Sequence, residues 1–264
     1  MKQSLATYAS ARETLLGQIV ETLSADDRFR AAWLTGSYGR NEADEVSDLD
    51  LAVVVADSHA ETLCARPWQS AARTTEERLA LFAQFGEPAI IHETNFNAPE
   101  GGTFTCVIYE SAVVVDWSLR PRLTATRPFE SRLLFDKIGI PLDPTPAPEP
   151  LEQRVARASE KTAFFWMMAA ITVKYIIRRD DVRVNELLEL LRYCLAEVER
   201  LLVGQAYRYP RGARGNLAPT VEAQLEAVRQ LCDRMSGLMA EVERGGDIVP
   251  TAPGRILNRL LNFV

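Results

Sequence analysis

Residues 31–55 read AAWLTGSYGRNEADEVSDLDLAVVV, and this stretch decides the fold. A turn at Gly36-Ser37 is followed by Asp48 and Asp50, which alternate with Leu49 and Leu51 at the head of an apolar run ending at Val55. Successive side chains of a strand point to opposite faces, so Asp48 and Asp50 share one face while Leu49, Leu51 and Val53 share the other. Two ionised carboxylates at that separation repel, and a divalent cation is the usual device that keeps both charged. The unbroken Val and Ala that follow read as a strand covered on both faces, where acids at the start need a reason. A solvated strand edge is the competing reading of Asp-x-Asp alone.

Upstream, apolar residues at Leu15, Leu16, Ile19, Val20 and Leu23 give Leu5 to Leu23 a helical period. Phe29 to Thr35 is a short apolar run between turn residues and predicts a buried strand delivering the chain to Gly36. Glycine lets the backbone approach an anion closely. The backbone N–H groups and the Ser37 hydroxyl are then expected to face a phosphate, with Arg40 one turn on as a fork of donors. A plain turn with a surface arginine is the alternative.

Downstream, His59 to Gln84 is helical in character, interrupted at Pro67, with Thr75 to Phe85 its better-formed part. Ala89 to Ile91 and Thr103 to Tyr109 read as strands, separated by a polar loop from Asn95 to Gly102, and Glu110-Ser111 reads as a hairpin turn. The strand Ala112 to Ser118 repeats the anomaly of the opening stretch, a lone Asp116 in a β-branched run. If it lies beside the Asp48 to Val55 strand, three carboxylates converge on one spot.

The composition excludes several classes. The cysteines, Cys64, Cys106, Cys194 and Cys232, form no C-x-x-C pair and the histidines are His59 and His92 alone, which rules out ordinary zinc sites and a disulfide framework. Each cysteine reads as a small buried hydrophobe, and any metal must be held by oxygen. A formal net charge of −6 argues against long nucleic acids, whose binding rests on clustered Lys and Arg. Neither a membrane span nor a secretory leader is indicated, so a soluble cytoplasmic protein is expected.

Pro141 to Pro150 carries five prolines and reads as an extended connection. It divides the chain into residues 1–140, a linker at 141–150, and residues 151–264. Beyond it, Leu151 to Arg179 reads as one long helix with apolar residues nearly all round it, hence buried in its middle. Val182 to Val203 and Val221 to Glu243 follow as amphipathic helices, with Ile256 to Phe263 a short fourth, and together they predict a helical bundle.

Gly-Ser, an Asp-x-Asp about ten residues later on a strand, and a third carboxylate on a further strand together resemble the nucleotidyltransferase superfamily that contains DNA polymerase β. Within it, the two-part organisation is similar to that of the aminoglycoside and lincosamide nucleotidyltransferases. The resemblance implies an α+β fold: a nucleotidyltransferase-type mixed β-sheet with flanking helices, then an all-α helical bundle that binds the acceptor. It implies Mg²⁺ at Asp48, Asp50 and Asp116, and a nucleotide, ATP or another NTP, seated on Gly36 and Ser37. Asp116 then either joins the metal site or takes the proton of the attacking hydroxyl. In-line attack at phosphorus needs a deprotonated nucleophile and a neutralised pyrophosphate, which such a clamp supplies. The implied partners are the nucleotide and a small-molecule hydroxyl acceptor, and some drug-modifying relatives are homodimers.

In the helical half, Lys174 is expected at the triphosphate, with Lys161 nearby, against the alternative of solvated lysines. Glu186, with Glu189 and Glu197, would attract a cationic acceptor, against the alternative of a solvated acidic face. Trp166 would stack on a sugar or base, against core packing. Two other readings compete with the enzyme on a small molecule. One is a regulatory or antitoxin module of the same fold acting on a partner protein. The other is transfer to protein or RNA.

Overall fold

The computed structural model describes residues 4–65, 74–94, 96–145, 147–205, 216–251 and 253–261. Four features expected from the sequence fall outside them: the interruption at Pro67, Asn95 at the head of the polar loop, Pro146 in the linker, and Phe263 at the end of the last helix. The chain divides into two compact units, Met1–Thr145 and Pro146–Val264.

The first unit opens with α1 (Leu5–Ala25), started by Ser4, whose hydroxyl accepts from Thr7 N–H at 3.1 Å. The chain then runs through β1 (Phe29–Leu34), the single turn α2 (Gly36–Gly39), β2 (Leu49–Val55), α3 (Ala60–Leu63) and α4 (Glu76–Ala83). Four strands follow: β3 (Pro88–Thr94), β4 (Thr103–Tyr109), β5 (Val114–Pro121) and β6 (Arg132–Asp136). They form one mixed six-stranded sheet in the order β3-β4-β5-β2-β1-β6. Its one parallel pair is β2 with β5; the other pairs are antiparallel.

Period-two alternation sorts the side chains of this sheet into two faces. Leu49, Leu51, Val53 and Val55 of β2, Val115, Trp117 and Leu119 of β5, and Ala32 and Leu34 of β1 pack against Leu15, Leu16, Ile19 and Leu23 of α1 in the main core. The opposite face carries a smaller cluster of Ala31, Trp33, Ala52, Val54 and Ala125. The strand after Asp48 is thus covered on both faces along its later half, while its acid-bearing start is not: Asp48 and Asp50 are half-buried.

The core side is pinned by Arg78, which is fully buried. Its guanidinium donates to Glu93 Oε1 at 2.8 Å and Oε2 at 3.2 Å, to the carbonyls of Thr62, Leu63 and Ala65, and to Thr74 Oγ1. Every charge on this pair is met, which is the condition for tolerating it in the interior.

Two local departures from the sequence reading have physical reasons. The turn at Glu110-Ser111 is a three-residue loop, because Ala112 adopts φ +66° and Tyr109 N–H bonds Val113 O at 3.0 Å. Strand β6 is missed by an alternation argument because Leu133, Leu134 and Phe135 run on without polar partners. It stops at Asp136, whose carboxylate accepts the N–H groups of Ile138, Gly139 and Ile140. The proline-rich stretch is not free along its whole length: Arg127 N–H donates to Pro141 O and Asp143 N–H to Arg127 O, tying its first residues to the sheet unit.

The second unit consists of α5 (Leu151–Ile177), α6 (Asp181–Val203), α7 (Val221–Arg244) and α8 (Pro253–Leu261). The first three pack pairwise on one another around Phe165, Val173, Leu188, Leu191, Val198 and Met235. Asp180 and Thr220 cap α6 and α7 through N–H groups three residues on, and Gly204 at φ +72° ends α6. The middle of α5 is buried on one face only: Phe165 is inaccessible, whereas Met167 is 52% exposed. The apolar residues that seemed to encircle the helix leave Phe164 and Met167 on its surface. No described helix is long and apolar enough to cross a membrane.

Candidate active site

The sheet brings the sequence-predicted acids together by register. In the parallel pair, Asp50 lies opposite Asp116, and Asp48, just ahead of the first residue of β2, is close enough for its charge to act on both. Burial pushes the Asp50 carboxyl up to about 6, with the charges of Asp48 and Asp116 adding to the shift and those of Arg40 and the Ser37 N–H opposing it. Burial also raises Asp116, helped by Asp48 and opposed by a hydrogen bond from the Cys106 thiol. Three half-buried carboxylates therefore sense one another, as like charges do when they share one site.

The Gly36-Ser37 turn is built against this group. Thr35 N–H donates to Asp50 O at 2.9 Å, and Ser37 N–H donates to the Asp50 carboxylate. Gly36 sits at φ +56°, and a methyl group there would overlap the Asp50 carboxylate, so glycine is required twice over, for its dihedral and for its lack of Cβ. The expectation that the turn's N–H groups await a phosphate is thus corrected at Ser37, whose amide is given to Asp50. Its hydroxyl differs: Ser37 Oγ is buried with no hydrogen-bond partner among the described residues. An orphaned hydroxyl on the turn that holds Asp50 is a donor open to a polar ligand atom. The charge of Arg40 reaches Asp50, and its Nε donates to Glu42 Oε2 at 3.0 Å.

Among the described residues no three His, Cys, Asp or Glu side chains are already arranged as a cage for a metal ion. The donor set nevertheless fits a hard divalent ion: Asp48, Asp50 and Asp116 offer only oxygen, and neutralising their mutual repulsion is what the raised Asp50 and Asp116 carboxyls lack.

Two neighbours of the site escape a reading by motif. Cys106 lies opposite Asp116 in the antiparallel β4–β5 register. A two-residue turn at Glu110-Ser111 would have set Thr105 there, and the extra residue Ala112 moves the register by one. Arg12 of α1 holds the loop before Asp48, and its signal in the sequence was an arginine standing in the apolar stripe at helical spacing from Leu15, Leu16 and Ile19.

The three residues expected from the helical half belong to the second unit. Trp166 is 7% exposed, packs edge-on against Phe165 and donates Nε1 to Met239 Sδ, so its ring fills the helical core and is not offered to an acceptor. Glu186 pairs with Arg183 at 2.7 Å, and Glu189 and Glu197 pair with Arg192 and Arg200, so this acidic face is neutralised by arginines three residues away. Lys174 is exposed near the end of α5, and Lys161 lies over the rings of Phe164 and Tyr193.

A mixed sheet with acids on two adjacent parallel strands, entered through a Gly-Ser turn, and a separate helical unit agree with the α+β organisation that the resemblance in the sequence implies. Residues 17–93 match the family model described as Polymerase beta, Nucleotidyltransferase, a match that lies within the sheet unit and supports nucleotide transfer as its chemistry. A solved aminoglycoside 6-adenyltransferase from Bacillus subtilis aligns over 96% of this chain and 98% of its own, at 12% identity and a TM-score of 0.33. No curated protein matches the chain.

Proposed function

We propose that the protein is a cytoplasmic, Mg²⁺-dependent enzyme that transfers a nucleoside monophosphate, AMP from ATP, to a hydroxyl of a small molecule and releases pyrophosphate. Aminoglycosides and lincosamides are the acceptor classes proposed, on the resemblance in the sequence. The observation that carries the reading is the register of Asp50 against Asp116, with the charge of Asp48 acting on both and the partnerless Ser37 hydroxyl on the turn that holds Asp50.

Asp48, Asp50 and Asp116 would hold the divalent ion. Bound there, it supplies positive charge to the phosphates and lowers the pKa of the attacking hydroxyl. The Ser37 hydroxyl donates to a phosphate oxygen, and Arg40, held through Nε, has further N–H donors for the same group. Asp116, raised by burial, accepts the acceptor hydroxyl's proton at a carboxylate oxygen. Lys174 is proposed as a further triphosphate ligand.

The test is pyrophosphate release from Mg²⁺-ATP across a panel of hydroxylated small molecules, aminoglycosides and lincosamides included. An acceptor-dependent signal that falls to background in Asp48→Asn, with unchanged circular dichroism, is the expected result. Release that persists in Asp48→Asn removes the carboxylates from the mechanism. Release with other hydroxylated compounds but with neither antibiotic class removes the antibiotic acceptor alone.

A further inference from the structure

The loop from Asp44 to Ser47, which delivers Asp48 to the sheet, turns three backbone carbonyls toward one side-chain nitrogen. Arg12 Nη1 donates to Ser47 O at 2.7 Å, to Asp44 O at 3.0 Å and to Glu45 O at 3.3 Å. Arg12 is 5% exposed, and its guanidinium lies over the Tyr38 ring, 5.4 Å from the centroid. Tyr38 follows Ser37 directly, and its hydroxyl donates to Oε1 of Glu13, the residue after Arg12, at 2.6 Å. One turn of α1 thus holds both halves of the acid site, the Gly36-Ser37 turn through Glu13 and Tyr38, and the Asp48 approach through Arg12.

The loop also closes on itself. Ser47 Oγ accepts from Asp44 N–H at 2.9 Å and donates to Asp44 Oδ1 at 2.8 Å, and Val46 N–H donates to the same oxygen at 3.1 Å. This closure leaves the carbonyls of Asp44, Glu45 and Ser47 pointing the same way. Converging carbonyl dipoles repel unless a cation stands at their focus, and a buried guanidinium is the group that meets several acceptors at once while stacking on a ring. An exposed arginine on α1 would do neither.

We infer that Arg12 is a positioning residue for the carboxylate site: by gathering the carbonyls of residues 44, 45 and 47 it sets the placement of Asp48 relative to Asp50 and Asp116. The inference rests on the proposed reading of these acids as divalent-cation ligands. Groups that orient metal ligands from behind typically change metal affinity by roughly 10–100-fold when removed.

The test uses the full chain with Mn²⁺ as the probe, read by electron paramagnetic resonance, together with amide hydrogen exchange of residues 41–50. Arg12→Met keeps much of the apolar stem and removes the fork. It is expected to weaken Mn²⁺ binding by roughly tenfold or more and to speed exchange in residues 44–48. Arg12→Lys, which keeps one charge but neither fork nor stack, is expected to fall between. Arg28→Met serves as the control for general destabilisation, because Arg28 pairs with Asp26 and Glu77 and touches neither loop. It is expected to leave Mn²⁺ affinity unchanged.

Unaltered Mn²⁺ affinity and exchange in both Arg12 variants overturns the inference, as does an equal loss in Arg28→Met. Should Arg12→Met fail to fold, Arg12→Lys decides alone. If the wild-type chain takes up no Mn²⁺, the metal reading of the acids falls, and the exchange of residues 44–48 judges the clamp by itself.

Discussion

Asp50 concentrates the tension of the site. Its carboxyl is pushed up to about 6, by burial first and by Asp48 and Asp116 next, against about 4 in an unfolded chain. A raised carboxyl favours the protonated form in the folded state. Its contribution to stability is whole below about pH 4 and is lost as pH rises through about 6. The neutral, near-isosteric Asp50→Asn should therefore make the metal-free protein more stable by about 1–2 kcal/mol at pH 7.5 while changing little at pH 4, and should abolish transfer. Thermal unfolding at the two pH values checks this, and equal shifts at both would refute it. The acids themselves were legible because a carboxylate in a run of Val and Leu is conspicuous in one dimension. Arg12 showed only as an arginine in an apolar stripe and Cys106 not at all, since their importance lies in what the folded chain brings to them: three carbonyls in one case, the Asp116 carboxylate in the other.

At the scale of elements, register carries the argument. Asp116 meets Asp50 because β5 runs parallel to β2, and it meets Cys106 because the β4–β5 loop holds three residues. Moving one side of this pairing by a single residue would set a site-face residue opposite one that points to the core. The loop depends on Ala112 at φ +66°, a dihedral that costs an L-residue roughly 1 kcal/mol and glycine almost nothing. Ala112→Gly should stabilise the protein by about 0.5–1 kcal/mol in urea unfolding with activity retained, less whatever glycine adds to the unfolded chain's entropy. A loss of stability would mean that this dihedral is not what limits the hairpin. Long periodic helices and the alternating strand β4 were readable from the sequence. The five-residue β6 and the loop register were not, because an edge strand without alternation and a one-residue loop difference leave no periodic trace.

Across the whole molecule, two cores stand in two units, one under the sheet and one among α5, α6 and α7. The division of labour is uneven in what it reveals. The sheet unit carries acids whose positions conflict with burial unless they act together, whereas two of the residues expected to meet the acceptor are engaged by their own neighbours in the helical unit, Trp166 by Met239 and Glu186 by Arg183. Residues engaged in this way disclose no ligand, and that is why the reading of the acceptor rests on the resemblance in the sequence alone. If the carboxylate triad moves a nucleotidyl group, as proposed, the position of the isotope in ATP decides which phosphorus is transferred. With Mg²⁺ and an acceptor, label at the α-phosphorus should appear on the acceptor while label at the γ-phosphorus leaves as pyrophosphate, and both events should vanish in Asp48→Asn. Label from the γ-phosphorus on the acceptor, or α-label transfer undiminished in Asp48→Asn, would contradict it.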